Sequence, residues 1–305
     1  MSSTPTLPAL RPGDRVAVVA PAGPAPPARL TLGLERLAER YRVVAADNLF
    51  DRTGYLAGGD DRRTEALNRA LADPDIRAVF CARGGYGCPR ILEGLDTTLR
   101  ADPKPICGFS DITALLHWVR AQGVVAIHGP VVTQLGELPP VDLEHLFALL
   151  EDPAYAPTLS GVALPGAAGV AEGPLTGGNL ALLGALAGTA WAPSLEGGLL
   201  VLEEVGEQPY RIDRVLTTLL QQPAGRSAGG LAGVAVGALT ACAPGEAGGP
   251  SALEVIAERL GRPGRPLVSA LPFGHGGRNV ALPLGVVARL DAGRGTLCWA
   301  GGVVG

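Results

Sequence analysis

The sequence is poor in several features that mark particular classes of protein. Lys104 is its only lysine, so the other 24 of its 25 basic residues are arginine, and 29 acidic residues bring the net charge to −4. A weakly acidic chain has no general electrostatic attraction to nucleic acid or to anionic membranes, and we expect neither as a partner. No run of eighteen apolar residues occurs, so no membrane-spanning helix is predicted.

Cysteine and histidine are too scattered to suggest a metal site or a disulfide framework. The cysteines form no CxxC pair and no cluster with histidine, and they are Cys81, Cys88, Cys107, Cys242 and Cys298. We therefore expect no metal and no cofactor. The first residues, MSSTPTLPALRPGDR, lack the basic start and apolar stretch of a signal peptide, which together with the cysteine usage predicts a cytoplasmic protein.

What the chain does contain is typical of a compact enzyme of two domains. Its 305 residues include 44 glycines and 27 prolines, yet 47% of them are apolar. In the first half, strand and helix patterns alternate, which indicates an N-terminal α/β domain with a mostly parallel sheet at residues 1–155. The predicted strands are 16–20, 42–46, 76–82, 105–109 and 124–128, and the predicted helices are 29–41, 60–72 and 112–121.

The second half is separated from the first by a segment rich in proline and glycine. Residues 156–172 show little periodicity and are predicted to be a linker. Residues 173–305 are predicted to form a smaller C-terminal α/β domain that ends in a β-rich element at 280–300. Helices are predicted at 179–186, 209–222 and 251–260, strands at 199–202 and 266–270, and an apolar, glycine-interrupted run at 231–239.

A glycine-rich segment, RGGYG at 83–87, follows directly on a predicted strand of the first domain. Its glycines permit positive φ and a close approach of backbone N–H groups to an anion or an oxyanion. A tight turn selected only for packing is the other interpretation. A nucleotide phosphate loop is disfavoured, because no Lys-Ser/Thr pair follows.

A second segment, GFSD at 108–111, places Ser110 between a predicted strand and a predicted helix. A hydroxyl at such a corner projects into a cleft, and the next N–H group and the helix N-terminus point at a developing oxyanion. Ser-Asp before a helix is also a common N-terminal cap. Both interpretations of Ser110 remain open on the local sequence.

A third segment ends an apolar strand in two adjacent carboxylates. Strand alternation directs Glu203 and Glu204 to opposite faces, so Glu203 can project into a cleft. Alternatively, both carboxylates are solvated at the end of the strand. Glu204 and Glu207 also lie just before a predicted helix that begins near Pro209, where the helix dipole favours negative charge.

A nucleophilic serine needs a base, and histidine is the side chain that exchanges a proton near neutral pH. His275 lies in the glycine-rich loop FGHGGR after a predicted strand and is the best placed of the four histidines. His117 and His145 lie on predicted helices, where packing roles are expected. His128 stands at a strand end and is a candidate wall of the site.

Five motifs in the expected order together resemble the LD-carboxypeptidases, a serine peptidase family that includes muramoyltetrapeptide carboxypeptidases and microcin C immunity-type peptidases. The resemblance runs from about Gly13 to Leu284. The motifs are RGGYG at 83–87, GFSD at 108–111, LTGGNL at 175–180, LEEVGEQPYRIDR at 202–214 and FGHG at 273–276. The resemblance implies that the N-terminal domain carries the serine and that the C-terminal domain carries the glutamate and the histidine.

The resemblance assigns roles to individual residues. Ser110 is implied as the nucleophile, His275 as the base, Glu203 as the residue that orients it, and the N–H groups of Asp111 and Gly85 as the oxyanion hole, while His128 is kept structural. Substrate-binding roles are expected for Arg83, Gly84, Tyr86 and Asn179. Arg83 and Arg278 are the candidates to bind a substrate carboxylate, and pairing with structural carboxylates is the alternative role for Arg83.

The implied reaction releases the terminal D-amino acid of murein tetrapeptide in cell-wall recycling, by way of an acyl-enzyme, in a cytoplasmic homodimer. One alternative is a microcin C immunity-type peptidase that cleaves a peptidyl-nucleotide amide. That activity would be favoured by an aromatic side chain stacking on a nucleobase, but Trp118, Trp191 and Trp299 stand in settings typical of packing. A non-catalytic module that binds an anion through RGGYG is an alternative of another class.

Overall fold

The computed structural model describes residues 6–164, 167–221, 230–245 and 248–305. The strands are β1 Arg15–Val19, β2 Arg42–Ala45, β3 Ile76–Cys81, β4 Ile106–Gly108, β5 Ala126–His128, β6 Thr158–Ser160, β7 Val162–Ala163, β8 Val170–Asn179, β9 Leu199–Val205, β10 Gly233–Thr240, β11 Leu267–Ser269, β12 Leu282–Leu284, β13 Val287–Asp291 and β14 Thr296–Cys298. The helices are α1 Pro27–Ala38, α2 Asp60–Ala72, α3 Thr113–Ala121, α4 Val132–Leu135, α5 Pro140–Glu151, α6 Leu180–Ala185, α7 Pro209–Gln221 and α8 Ala252–Leu260.

Several helices begin where the sequence supplies a start signal. Proline occupies the first turn of α1, where its missing N–H group has no partner to lose. Asp60 and Asp61 lie in the first turn of α2, where negative charge is favoured by the helix dipole. Ser251 and Glu254 form a reciprocal capping box at the start of α8.

The chain divides into two compact units. The first comprises Met1–Tyr155, Val280–Pro283 and Gly302–Gly305, and the second comprises Ala156–Asn279 and Leu284–Gly301. The six-stranded sheet of the first unit has the order β12-β5-β4-β3-β1-β2, and neighbouring strands from β1 to β5 pair in parallel. The predicted mostly parallel α/β sheet is therefore confirmed.

This topology fixes where the two N-terminal motifs begin. Phe80 of β3 pairs with Cys107 of β4, so the two strands reach their carboxyl ends side by side. Loops that follow neighbouring parallel strands emerge at the same edge of a sheet. The RGGYG and FSD segments therefore leave the sheet as neighbours.

The second unit contains an eight-stranded mixed sheet with the order β6-β14-β13-β8-β9-β10-β11-β7. Strands β8 to β11 are parallel, and the remaining pairs are antiparallel. The two edge strands, β6 and β7, are separated along the chain by Gly161 alone. The core packs α6, α7 and α8 through buried apolar side chains that include Leu183, Leu202, Leu216 and Ile256.

The structure differs from two sequence-based expectations about the domains. Residues 156–172 do not form an irregular linker, because β6, β7 and the start of β8 lie there, and Leu159 is buried opposite Leu297. The predicted domain 173–305 also includes two segments that belong to the first unit. Leu282 is fully buried in the first sheet, and Val304 forms a bridge with Leu7.

Other predicted bounds differ only at their ends. Strand β9 continues beyond residue 202 through both carboxylates to Val205. Helix α7 is described to Gln221, and the predicted last residue, Gln222, lies outside the described residues, as do Pro165 and Gly166 of the predicted linker. Within the described ranges, no helix combines the length and apolar character that a bilayer crossing needs.

Candidate active site

Ser110 lies at the corner between strand β4 and helix α3. The strand ends at Gly108, Phe109 is extended (φ −152°, ψ −172°), and Ser110 turns the chain with a φ of 64°. A positive φ costs a non-glycine residue of order 1–2 kcal/mol, and it persists only where the surrounding structure imposes it. The partly exposed serine thus stands at a strained strand-to-helix turn, the setting that suits a nucleophile.

The structure does not use Ser110 as the cap of helix α3. The N-cap position of α3 is Ile112, and the short 3₁₀ turn that begins at Ser110 has Phe109 at its own N-cap. Neither cap residue makes a side-chain capping bond. An N-cap residue also adopts an extended backbone, which a φ of 64° excludes. The capping interpretation of Ser110 is therefore wrong.

The glycine-rich turn lies against this serine. A Cβ atom at Gly84 would stand 2.8 Å from Ser110 Cβ and 3.0 Å from its Oγ, and 3.4 Å from the backbone nitrogen of Asp111. No side chain fits in that space without displacing the serine. Gly85 has a φ of 106°, which favours glycine. The turn places backbone beside the Ser110 hydroxyl, as an oxyanion site requires.

Two side chains of the turn have contacts of their own. The Arg83 guanidinium donates from Nη1 to the Pro24 carbonyl oxygen at 2.8 Å and so holds the neighbouring loop. Tyr86 is half exposed, and its ring centroid lies 5.7 Å from that of Tyr55, which is also exposed. The substrate-binding roles expected for Arg83, Gly84 and Tyr86 stay predictions.

Asp111 follows the serine and is almost fully buried. Its Oδ2 accepts a hydrogen bond from the Cys88 backbone nitrogen at 2.7 Å, and its Oδ1 has no hydrogen-bond partner among the residues that the structure describes. Burial raises the pKa of Asp111 to about 6, against the lowering effects of the Cys88 bond and the nearby positive charge of Arg63. The sequence suggested a role for Asp111 only through its backbone N–H group. In the structure its side chain also connects the serine corner to Cys88, the residue directly after the glycine-rich turn.

In the second unit, His275 and Glu203 form a close pair. His275 Nδ1 lies 2.6 Å from Glu203 Oε2, and the His275 backbone nitrogen donates to the same oxygen at 3.3 Å. The carboxylate is fully buried, whereas the imidazole is 21% exposed. A carboxylate at Nδ1 fixes that nitrogen as the donor and leaves Nε2 to take a proton, which is the arrangement of a catalytic base.

The loop that carries His275 is held by backbone and side-chain contacts. Gly274 has a φ of 100°, and a Cβ atom there would lie 2.7 Å from Glu203 Cβ. The Gly274 nitrogen donates to Oδ1 of the fully buried Asn279 at 2.9 Å, and Thr240 Oγ1 donates to the His275 carbonyl oxygen at 2.9 Å. Sequence analysis missed Asn279 and Thr240, because a lone Asn or Thr near a glycine-rich loop carries no distinctive signal.

Strand alternation separates the two carboxylates of β9 as expected, but neither is solvated. Glu204 is buried and accepts hydrogen bonds from Asn179 Nδ2 at 3.1 Å and from the Ala181 nitrogen at 2.7 Å. Burial is the main reason that the pKa of Glu204 is raised. Glu204 therefore bonds to the start of α6, and the alternative interpretation that it solvates the strand end is wrong.

Asn179 lies beside Glu203 in the sheet, where β8 pairs with β9. Its Oδ1 accepts from the Leu182 nitrogen at 3.2 Å, so it caps α6, and its Nδ2 bonds to Glu204. A substrate-binding role for Asn179 stays a prediction.

The other histidines occupy buried positions. His128 pairs with Gly108 across β4 and β5 and contacts the Phe109 ring edge to face. His145 bonds to the Tyr155 hydroxyl and to the Ala281 carbonyl oxygen, both at 2.8 Å, and His117 is buried in α3. In the part of the chain that the structure describes, no group of three His, Cys, Asp or Glu side chains could hold a metal ion.

The two units thus carry complementary parts of one kind of chemistry. The first holds a serine at a strained corner beside backbone N–H groups, and the second holds a histidine oriented by a buried carboxylate. These are the parts of a serine hydrolase on an α/β fold.

Comparison with known proteins defines the family. Residues 16–129 match the sequence profile of the LD-carboxypeptidase N-terminal domain, and residues 172–290 match that of the C-terminal domain. The murein tetrapeptide carboxypeptidase of Pseudomonas aeruginosa is 38% identical over 300 residues, which cover 92% of this chain and 94% of that protein. The chain belongs to the LD-carboxypeptidase family, as the motifs predicted, and is a serine-type peptidase.

Solved structures share the fold, among them a muramoyltetrapeptide carboxypeptidase and MccF. Muramoyltetrapeptide carboxypeptidase from Oxalobacter formigenes superimposes with a TM-score of 0.82 at 29% identity, covering 94% of this chain and 98% of that one. MccF in complex with glutamyl sulfamoyl guanosine has a TM-score of 0.87 at 22% identity, covering 98% and 99%. At that lower identity the likeness to MccF extends to the fold alone. Because the chain belongs to a peptidase family, the alternative that it is a non-catalytic module that binds an anion is excluded.

Proposed function

We propose that this protein cleaves the L,D amide bond of murein tetrapeptide and releases the terminal D-amino acid through an acyl-enzyme. The observation that carries the proposal is the 2.6 Å hydrogen bond between His275 Nδ1 and the buried Glu203, because it prepares Nε2 for proton transfer. The substrate class is supported by the names of relatives, among them the murein tetrapeptide carboxypeptidase of P. aeruginosa.

In the proposed reaction, Ser110 Oγ attacks the scissile carbonyl carbon while His275 Nε2 takes the hydroxyl proton. The oxyanion accepts hydrogen bonds from the N–H groups of Asp111 and Gly85. The C–N bond breaks as His275 returns the proton to the leaving amine, and the D-amino acid departs. Water then attacks the ester carbon with the same base, which restores Ser110 and releases the shortened peptide. Glu203 stabilises the imidazolium at both stages.

Recognition of a free terminal carboxylate requires a cation, and we propose Arg278 for this role in preference to Arg83. A cavity of about 620 Å³ in the second unit is lined by Leu271–Phe273 and Gly276–Arg278, which flank His275 in the sequence, although His275 itself does not line it. Arg278 is exposed, lines this cavity and lies three residues after His275 in the sequence. A guanidinium matches a carboxylate with two parallel hydrogen bonds.

The test of the activity is product analysis by mass spectrometry. Purified protein incubated with an L,D-tetrapeptide should release one D-amino acid, and Ser110→Ala should not. The all-L diastereomer is the substrate control and should stay intact. Failure of the wild-type protein to cleave the L,D-peptide would contradict the proposal.

The test of carboxylate recognition compares a peptide acid with its C-terminal amide. Wild type should favour the acid, and Arg278→Gln should raise KM for the acid about 10- to 100-fold with little change for the amide, because a charge-assisted bidentate contact is lost. Arg83→Gln is the matched variant. A larger effect of Arg83→Gln on the acid would reverse the assignment.

A microcin C immunity-type activity on a peptidyl-nucleotide amide is the second candidate, favoured by the fold shared with MccF. A nucleobase needs an exposed aromatic face. Trp118 and Trp299 are buried, whereas Trp191 is partly exposed. Trp191 is therefore the tryptophan that could stack on a nucleobase. Incubation with both substrate types ranks the two activities, and faster cleavage of the nucleotide amide, slowed by Trp191→Ala, would favour the second.

A role in cell-wall recycling, a cytoplasmic location and a homodimer stay predictions. Cell fractionation and sedimentation of the purified protein test the last two. The expected lack of nucleic-acid partners also stays a prediction.

A further inference from the structure

Two buried side chains of opposite charge bind the end of the glycine-rich turn. Asp111 Oδ2 accepts from the Cys88 nitrogen at 2.7 Å, and Arg63 Nη1 donates to the adjacent Gly87 carbonyl oxygen at 2.9 Å. Asp111 is 1% exposed, and the Arg63 side chain is fully buried. Buried charges are rare unless they are paired, and here each one bonds to the backbone of the turn.

Arg63 also fixes this end of the turn to the rest of the first unit. Its guanidinium bonds to the Pro21 carbonyl oxygen and to the Asp60 carboxylate, which also accepts from Arg90 at 2.7 Å. A Cβ atom at Gly87 would lie 3.0 Å from Arg63 Nη1, so the guanidinium packs directly on the turn. The end at residues 87–88 is therefore anchored from two sides.

The other end of the same turn lies against Ser110. Gly84 approaches the serine closely enough that any side chain there would overlap it, and the Gly84 carbonyl oxygen accepts from the Gly23 nitrogen at 3.0 Å. Only residues 85–87 separate this contact from the Cys88 bond.

We propose that the Asp111 carboxylate is a positioning residue: by holding the Cys88 N–H group, with Arg63 on the adjacent carbonyl, it presses the glycine-rich turn against Ser110 and sets the backbone that faces the oxyanion. The inference rests on the proposed function of Ser110 as the nucleophile. It assigns the side chain of Asp111 a role separate from that of its own N–H group, which any residue at position 111 supplies. Among the described residues, the Cys88 N–H group is the hydrogen-bond partner of this carboxylate, and Oδ1 has none.

The test compares Asp111→Ala with Asp111→Asn, whose amide oxygen retains an acceptor for the Cys88 N–H group. The readouts are the rate at which a fluorophosphonate labels Ser110, kcat and KM for the peptide, and hydrogen exchange of the segment around Cys88. Asp142→Ala is the matched control, because Asp142 is a fully buried carboxylate of the same unit on α5.

Asp111→Ala should label about 10- to 100-fold more slowly, lose kcat more than it changes KM, and exchange faster around Cys88, since small displacements at a reacting centre reduce rates by this order. Asp111→Asn should recover most of the labelling rate and the protection, and Asp142→Ala should label at the wild-type rate while folded. If Asp111→Ala does not fold, Asp111→Leu, which has nearly the same shape but no acceptor for the Cys88 N–H group, takes its place with the same expected results.

Two results would overturn the inference. One is a folded Asp111→Ala that labels and exchanges as the wild type does. The other is an Asp111→Asn that folds but has lost labelling as completely as Ser110→Ala. Absence of labelling in the wild-type protein would instead refute the proposed nucleophile, and the exchange measurement would still decide whether Asp111 holds the turn.

Discussion

The two units place their reactive groups by different means. In the first, Ser110 is set by backbone: a positive φ, a glycine that leaves no room for a side chain, and N–H groups at a strand-to-helix corner. In the second, His275 is set by side chains, mainly the Glu203 carboxylate and the contacts of Asn279 and Thr240 around its loop. The comparison indicates which substitution disturbs each group directly: a side chain at Gly84 would overlap Ser110, and loss of the Glu203 carboxylate would remove the partner of His275 Nδ1.

The largest effect is expected from substitution of the proposed nucleophile and the proposed base. Ser110→Ala and His275→Ala should each reduce kcat by about 10⁴-fold or more, and the double variant should be hardly worse than either single one. Peptide turnover of the three variants measures this. If the two losses multiply, the serine and the histidine do not serve the same step.

Glu203→Gln should produce the next largest loss. The amide keeps the shape of the side chain but can present its NH₂ group to Nδ1, which favours the wrong imidazole tautomer, and kcat should fall by about 10²- to 10⁴-fold. Glu204→Gln is the matched variant, because Glu204 is the buried neighbour on the opposite face of β9. Equal losses from the two substitutions, with both proteins folded, would contradict the orienting role of Glu203.

Substitution of Gly84 tests whether the position of Ser110 depends on the close approach of the glycine-rich turn. Gly84→Ala introduces a Cβ 2.8 Å from Ser110 Cβ, and kcat should fall about 100-fold. Gly59→Ala is the control, because its Cβ would meet nothing within 4 Å and its φ of −67° suits alanine. Thermal melts establish that both variants fold. A Gly84→Ala enzyme with wild-type kcat would show that the serine corner does not depend on the close approach of the turn.

The smallest effect concerns stability and has a defined direction with pH. Burial raises the pKa of Asp111 from 3.8 to about 6, so this carboxyl stabilises the fold below its unfolded pKa and loses that contribution as the pH rises through about 6. Asp111→Asn does not titrate. Its free energy of unfolding relative to wild type should therefore increase by up to about 3 kcal/mol between roughly pH 3.5 and pH 7.5. Urea unfolding at both pH values measures the change, and a pH-independent difference would contradict the raised pKa.

Sequence reasoning reached the parts of the site that depend on strand ends and local pattern. Ser110 lies at its predicted corner and Glu203 on its predicted strand face, because strand alternation and the change from strand to helix periodicity are local properties. The return of Leu282 to the first sheet was missed, since it depends on contacts between residues far apart in the chain. The role of Glu204 at α6 was missed for the same reason: its partner Ala181 lies on another element.

The measurement that tests the central claim most directly is intact-mass and peptide analysis after treatment with a fluorophosphonate. The account predicts one adduct per chain, located on Ser110, absent in Ser110→Ala and at least about 10³-fold slower to form in His275→Ala. An adduct on another residue, or wild-type labelling kinetics in His275→Ala, would contradict it.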